Sequence, residues 1–340
     1  MNVASKTEFS IGNESAMSSG KEKTTLNVRV RSVIYETDDI LRFELTALDG
    51  GELPAFTAGA HIDVHVADGL TRQYSLCGDP ADRRSYQIAV LNERQGRGGS
   101  KAVHETFRAG AVVTISTPRN HFPLVGGAKR HLLLAGGIGV TPMIAMIHAL
   151  EAGGDDWEMH YCTRGPEKTA FIDRLKPLIA AGKVRLHHDG GDPKKGLDIA
   201  TALAKTGSGT HLYYCGPGGF MSAVAAASQH WPAGTVHFEY FAAPADKPTE
   251  TRENKPFQVR VKSTGATLDI PADKSIVAVL RENGHYVDTS CEDGYCGTCL
   301  TRYLSGEPEH RDSVLDEDDR GKYVLICCAR AKSAVLELDI

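Results

Sequence analysis

The 340-residue sequence predicts a multidomain protein: an antiparallel β-barrel, then an α/β domain on a parallel sheet, then a small α+β domain. Three observations predict it. Short segments of period-two alternation fill the first third of the chain. From about Lys129, continuous apolar runs alternate with helix-like segments. Five of the eight cysteines crowd into the last 50 residues, beyond a polar, proline-containing stretch. The composition, 41% hydrophobic and 24% charged, excludes disordered, collagenous and fibrous classes. No apolar run reaches the ~18 residues that suggest a membrane helix. A net charge of −5 argues against a nucleic-acid partner.

Residues 1–25 are Ser-rich and polar and read as a disordered tail without the apolar core of an export signal. The barrel is expected over 26–127. Leu26–Val33, Ile62–Val66 and Tyr86–Val90 alternate apolar and polar residues, with Gly, Asp and Pro between them. A helix is expected after Gly99, from Ser100 to Phe107. The α/β domain is expected over 128–242. His131–Ala135 reads as a strand buried on both faces, followed by Glu158–Cys162, Val184–His188, His211–Cys215 and Thr235–Tyr240. Residues 243–255 have no periodicity and read as a linker. The last domain, 256–340, opens on a strand from Phe257 to Lys262 and has one helix, Ser275–Arg281.

The spacing of Cys291, Cys296, Cys299 and Cys327 is C-x4-C-x2-C-x27-C. This is the plant-type [2Fe–2S] ligand pattern: one tight loop holds one side of a cluster and a distant thiolate completes the set. Structural zinc sites instead pair two short C-x2–4-C units. Gly294 and Gly297 let the loop backbone bend close to a cluster. Cys328 adjoins Cys327; in a strand the two point to opposite faces, which leaves Cys328 as a small buried hydrophobe.

Two glycine turns follow strands in the α/β segment. Gly136-Gly137-Ile138-Gly139-Val140-Thr141-Pro142 leads into a helix, where free amides and the helix dipole favour phosphate. Cys215-Gly216-Pro217 closes another strand at the end where ligands bind open α/β sheets. In the barrel segment, Arg72-Gln73-Tyr74-Ser75 offers a guanidinium, a flat ring and a small donor, although taken alone it reads rather as an ordinary exposed strand. Gly96-Arg97-Gly98-Gly99-Ser100 reads either as a second phosphate cradle or as a surface turn. The histidines His65, His187 and His188 read as surface or satisfied side chains.

Together, Arg72-x-Tyr74-Ser75, the glycine turn at 136–142, Cys215-Gly216-Pro217 and the C-terminal cysteines resemble the ferredoxin–NADP reductase superfamily. Their order is similar to that of the phthalate dioxygenase reductase and vanillate O-demethylase reductase family. The resemblance implies an FMN-binding barrel, an NAD-binding domain and a β-grasp [2Fe–2S] ferredoxin domain. It implies FMN at Arg72, Gln73, Tyr74, Ser75, Ala89, Val90, Leu91, Gly98, Gly99, Ser100, Thr141 and Phe241. It implies NADH along Gly137, Gly139, Thr163, Arg164, Cys215, Gly216 and Pro217, with Thr163-Arg164 open to a 2′-phosphate. Cys215 lies near the nicotinamide as a contact and no side chain is an acid or base. The partner implied is a Rieske-type terminal oxygenase acting on an aromatic compound, and the chain itself a cytoplasmic monomer. An electron-transfer subunit of a stable dehydrogenase complex is the alternative, which the 27-residue cysteine gap disfavours; a redox sensor does not need an intact nucleotide turn.

Charge is uneven. Residues 256–340 hold 15 acids and 10 bases, whereas the rest of the chain holds 28 of each. Nine acids, including Asp316–Asp319, lie between Cys291 and Arg320. These acids read either as the solvated start of a helix, where they suit the dipole, or as an acidic face around the cluster that helps steer a basic patch on the oxygenase. On the second reading, rising salt is expected to slow electron delivery to the oxygenase and to leave NADH-to-flavin reduction unchanged, measured by stopped flow with and without the partner. Equal slowing of both steps contradicts steering.

Overall fold

The structure, a computed structural model, describes residues 25–67, 70–94, 96, 98–241, 254–287, 289, 291–295, 297–312, 315 and 317–340. The expected tail up to residue 24, most of the linker, Arg97, Cys296 and Asp316 lie outside them.

The first sheet is antiparallel. Its strands are β1 (Thr25–Thr37), β2 (Ile40–Ala47), β3 (Ala60–Ala67), β4 (Leu70–Ser75) and β5 (Ser85–Leu91). After helix α1 (Gly99–Thr106) come β6 (Val112–Ser116) and β7 (Arg119–Asn120). The order is β4-β3-β6-β1-β2-β5, with β7 on β3. A bridge between Leu76 and Ile88 joins the two outer strands, so the sheet closes on itself and leaves no long free edge.

The alternation in β3 predicts one polar face, and here the structure differs. His61 and Asp63 are as buried as Ile62 and Val64. Asp63 lies 2.7 Å from the Arg119 guanidinium, and its amide donates to Ser116 Oγ at 2.9 Å. A charge survives burial where it is paired and its surroundings are hydrogen-bonded.

The second sheet is parallel: β8 (Arg130–Gly136), β9 (Trp157–Thr163), β10 (Val184–His188), β11 (Thr210–Cys215) and β12 (Val236–Glu239). The helices between them are α2 (Val140–Gly153), α3 (Ile172–Ala180), α4 (Ile199–Leu203) and α5 (Gly218–Ala227). In the order β10-β9-β8-β11-β12 all strands run parallel, and the direction in which the chain adds strands reverses between β8 and β11. A crevice opens at the carboxyl ends of those two strands. Residues 131–136 of β8 are all buried, as the unbroken apolar run requires. The two sheets share one hydrophobic core. Polar links cross between them as well: Phe171 N donates to Glu36 Oε2 at 2.7 Å, Arg174 Nη2 donates to Gln87 Oε1 at 2.6 Å, and Lys168 pairs with Asp39.

The third sheet is mixed, with its own core. Its elements are β13 (Phe257–Val261), β14 (Thr267–Ile270), α6 (Ile276–Glu282), β15 (Leu300–Ser305), β16 (Pro308–Glu309), α7 (Glu317–Arg320), β17 (Tyr323–Leu325), β18 (Arg330–Ala331) and β19 (Val335–Leu338). The sheet order is β14-β13-β19-β15-β17, with β16 and β18 as a separate pair. Ser275 caps α6, its hydroxyl accepting from the Ala278 amide at 3.1 Å. Among the described residues no helix is long and apolar enough to cross a membrane.

Burial holds several histidines neutral. His121 and His237 are each lowered to about 4, chiefly by desolvation, and His131, His148, His160 and His187 shift the same way. In the unfolded chain a histidine titrates near 6.5. Between about pH 4 and 6.5 the unfolded state therefore binds more protons, and stability falls as pH falls. A thermal midpoint that declines from pH 7 to 5 is the expected result in a scan at constant ionic strength.

Candidate functional site: a crevice between two sheets and a cysteine loop

The two glycine turns of the second sheet explain each other. A Cβ on Gly139 would overlap the Cys215 carbonyl, and one on Gly136 would meet Pro217 and Phe220. Gly137, in a 3-10 turn, has a φ of 53°, a left-handed conformation that glycine adopts without strain. The turns thus pack backbone to backbone, and the amides opening α2 face the crevice. Thr141 is buried in the first turn of α2, its hydroxyl donating to Ile138 O at 3.0 Å.

Cys215 is fully buried, and its thiol is pushed well above the ordinary range by that burial and by the nearby Glu239 carboxylate. It is a neutral contact group and not a thiolate nucleophile. Thr163 is also buried. Its hydroxyl is engaged with Thr169 Oγ1 at 2.9 Å, His188 Nδ1 at 2.9 Å and Gly165 O at 3.2 Å. Arg164 is exposed beside it.

The first sheet brings its own residues to the same crevice. Tyr74 and Ser75 end β4, and burial pushes the Tyr74 hydroxyl above its ordinary range. Arg72 lies against the start of α1: a Cβ on Gly99 would overlap its side chain. Gly98, at φ 81°, is the N-cap of α1 and offers no side-chain cap. Open helix amides and a guanidinium therefore converge, which is the chemistry of a phosphate seat. Ser100 Oγ, by contrast, accepts from the Glu93 amide at 3.0 Å and pins the preceding loop. Ala89 and Val90 of β5 are buried and Leu91 half-buried, with His104 Nε2 donating to the Val90 carbonyl at 2.8 Å. Phe241 is exposed after β12.

Two residues that sequence reasoning did not select sit at the centre. Ser75 Oγ donates to Glu239 Oε2 at 3.2 Å, joining the two sheets. His61 Nδ1 lies 3.7 Å from the other oxygen of Glu239, and His61 is almost wholly buried. Cys215 and Glu239 are register partners on β11 and β12. The sequence carries no signal for it, because the register of β12 on β11 is set only in the folded sheet.

In the third sheet, Cys291, Cys299 and Cys327 are all buried, at 4%, 3% and 6% exposure. Gly294 and Gly297 have φ of 77° and 72°, so the loop makes the turns the glycines allow. Three buried free thiols around such a loop fit an iron–sulfur centre. Cys327 and Cys328 differ from expectation: they lie in a turn after β17, not in a strand. Cys328 is only half-buried and packs its sulfur against Gly294. Of the singled-out histidines, His65 meets Thr71 at 3.2 Å and His187 meets His160 at 2.9 Å.

The profile of the 2Fe-2S iron-sulfur cluster binding domain family matches residues 259–332. The tert-butanol monooxygenase / tert-amyl alcohol desaturase reductase subunit of Aquincola tertiaricarbonis is 49% identical, covering 94% of this chain and 97% of its own. The vanillate O-demethylase oxidoreductase of Pseudomonas sp. (strain HR199 / DSM 7063) is 46% identical over 93% of this chain and 100% of its own. The solved structure of phthalate dioxygenase reductase, a modular structure for electron transfer from pyridine nucleotides to [2Fe-2S], is 44% identical, with a TM-score of 0.70 over 93% of this chain and 98% of that one.

The chain belongs to the phthalate dioxygenase reductase and vanillate O-demethylase reductase family. Members of this family are oxidoreductase components, and here the cysteine loop lies in the matched [2Fe–2S] domain. Cys327→Ser is expected to lose bound iron and acid-labile sulfide, whereas Cys328→Ser retains both. Chemical assay of iron and sulfide per chain decides between the adjacent thiols.

Proposed function

We propose that this chain is the reductase component of a Rieske-type aromatic-ring oxygenase or O-demethylase system, passing a hydride from NADH to FMN and then single electrons through [2Fe–2S] to the oxygenase. The bond between Ser75 and Glu239 is the observation that carries this reading, because it sets the Arg72–Ser75 segment opposite the nucleotide turns. A flavin accepts electrons in pairs and returns them singly, which a nicotinamide and a [2Fe–2S] centre cannot do for each other.

The chain's own residues bind and orient. Arg72 and the amides at Gly98–Ser100 hold the flavin phosphate, and Tyr74 and Phe241 supply rings. Gln73, Ala89, Val90, Leu91 and Thr141 line the flavin. Gly137, Gly139, Cys215, Gly216 and Pro217 line the nucleotide, with Cys215 as a neutral packing contact. Cys291, Cys296, Cys299 and Cys327 hold the cluster. Support for NADH over NADPH comes from Thr163 and Asp189. The Thr163 hydroxyl is already engaged internally. The Asp189 carboxylate is engaged as well, accepting from the Gly191 amide at 2.7 Å, and the choice of NADH otherwise rests on the likeness to the family. The barrel, nucleotide and ferredoxin domains are assigned to 26–127, 128–242 and 256–340. All seven described cysteines are free, in keeping with a monomer working in the reducing cytoplasm.

Anaerobic titration with NADH is expected to bleach flavin and cluster absorbance together, with NADPH much slower, and acid extraction is expected to release FMN. Protein that binds flavin and cluster but is not bleached by either nucleotide contradicts the proposal.

A further inference from the structure

The loop that carries Cys296 is seated on the first two sheets at three points. Gln73 Nε2 donates to Thr298 Oγ1 at 3.5 Å. The Tyr295 hydroxyl donates to Phe241 O at 3.3 Å. Between them, Gly297 faces the imidazole of His121: a Cβ on Gly297 would lie 3.5 Å from Nε2 and 3.7 Å from two ring carbons.

The His121 ring is itself held from behind. It stacks on His61 with centroids 5.4 Å apart and planes 27° from parallel. His61 in turn faces Glu239, the residue tied to Ser75. The backbone on either side of His121 is also fixed. Asn120 Nδ2 donates to Thr57 Oγ1 at 2.7 Å and to Ala58 O at 2.8 Å, and Asn120 Oδ1 accepts from Phe122 N at 2.9 Å. Phe122 is buried, and its carbonyl occupies the space a side chain on Gly59 would need. His121 is thus an uncharged platform held from behind, facing a loop glycine with room for about one methyl group between them, next in sequence to a cluster cysteine.

We propose that His121 is a positioning residue for electron transfer: its ring seats the cysteine loop and thereby fixes the gap that electrons cross from the flavin to the cluster. The inference rests on the flavin site proposed above. Electron transfer between fixed centres slows as the gap widens, so the seating of the loop enters the rate directly.

The test uses the flavin- and cluster-loaded protein. With NADH under anaerobic stopped flow, His121→Ala is expected to slow cluster reduction several-fold while flavin reduction keeps its rate. Hydrogen exchange of the peptide spanning 291–299 is expected to quicken in the same variant, a readout independent of turnover. His121→Phe keeps a flat ring and is expected to restore both, which separates a platform from a hydrogen-bonding role. Wild-type cluster reduction and wild-type exchange in His121→Ala overturn the proposal, as does equal slowing of the flavin step. Wild-type protein that carries no flavin overturns the parent reading and this one with it, an outcome visible before any variant is made.

Discussion

One hydrogen bond organises the molecule. Ser75 ends a strand of the antiparallel sheet, Glu239 ends a strand of the parallel sheet, and the two side chains meet at 3.2 Å across 164 positions of sequence. Glu239 is in register with Cys215, and the Cys215 carbonyl lies against Gly139. Fixing the Ser75–Glu239 pair therefore fixes the two nucleotide turns against the Arg72–Ser75 segment. A single bond of this kind contributes about 1–3 kcal/mol where one partner is charged, too little to hold two sheets by itself. The common apolar core and the Glu36, Gln87 and Asp39 links supply the rest. The bond's role is registration: it selects which of the many ways of burying that core leaves the two ligand-facing strand ends opposite each other.

Legibility followed the range of the interactions. The buried run His131–Ala135 and the cysteine spacing are local patterns with one physical reading each, and both appear in the structure as a buried strand and as buried thiols on a glycine-turned loop. The polar residues of β3 were misread because alternation reports side-chain direction and not the partner that waits there. Asp63 points inward to Arg119, more than 50 residues away. Glu239 and His61 went unnoticed for the same reason, since neither belongs to a motif and each acquires a role only when the sheets meet. The opposite-face rule does not apply to Cys327 and Cys328, because the chain turns immediately after Leu325.

The interior and the surface treat charge in opposite ways, and the division follows from what each region must do. Inside the crevice the titratable groups are kept neutral or paired: Cys215 as a thiol, His121 uncharged, Asp63 against Arg119. A fixed, low-dielectric site magnifies every charge left in it, so stray charge there disturbs cofactor energies. On α7, between the cysteine loop and Cys327 in the chain, Glu317 and Asp318 are exposed acids and Asp319 is half-buried. Their field is weak per charge and extends roughly 8 Å at physiological salt, enough to bias an approaching protein and too short to perturb the buried crevice. Placements such as that of His121 facing Gly297 act over a few ångströms and are indifferent to salt. Packing inside and exposed acids outside therefore answer to different variables, distance for the one and ionic strength for the other.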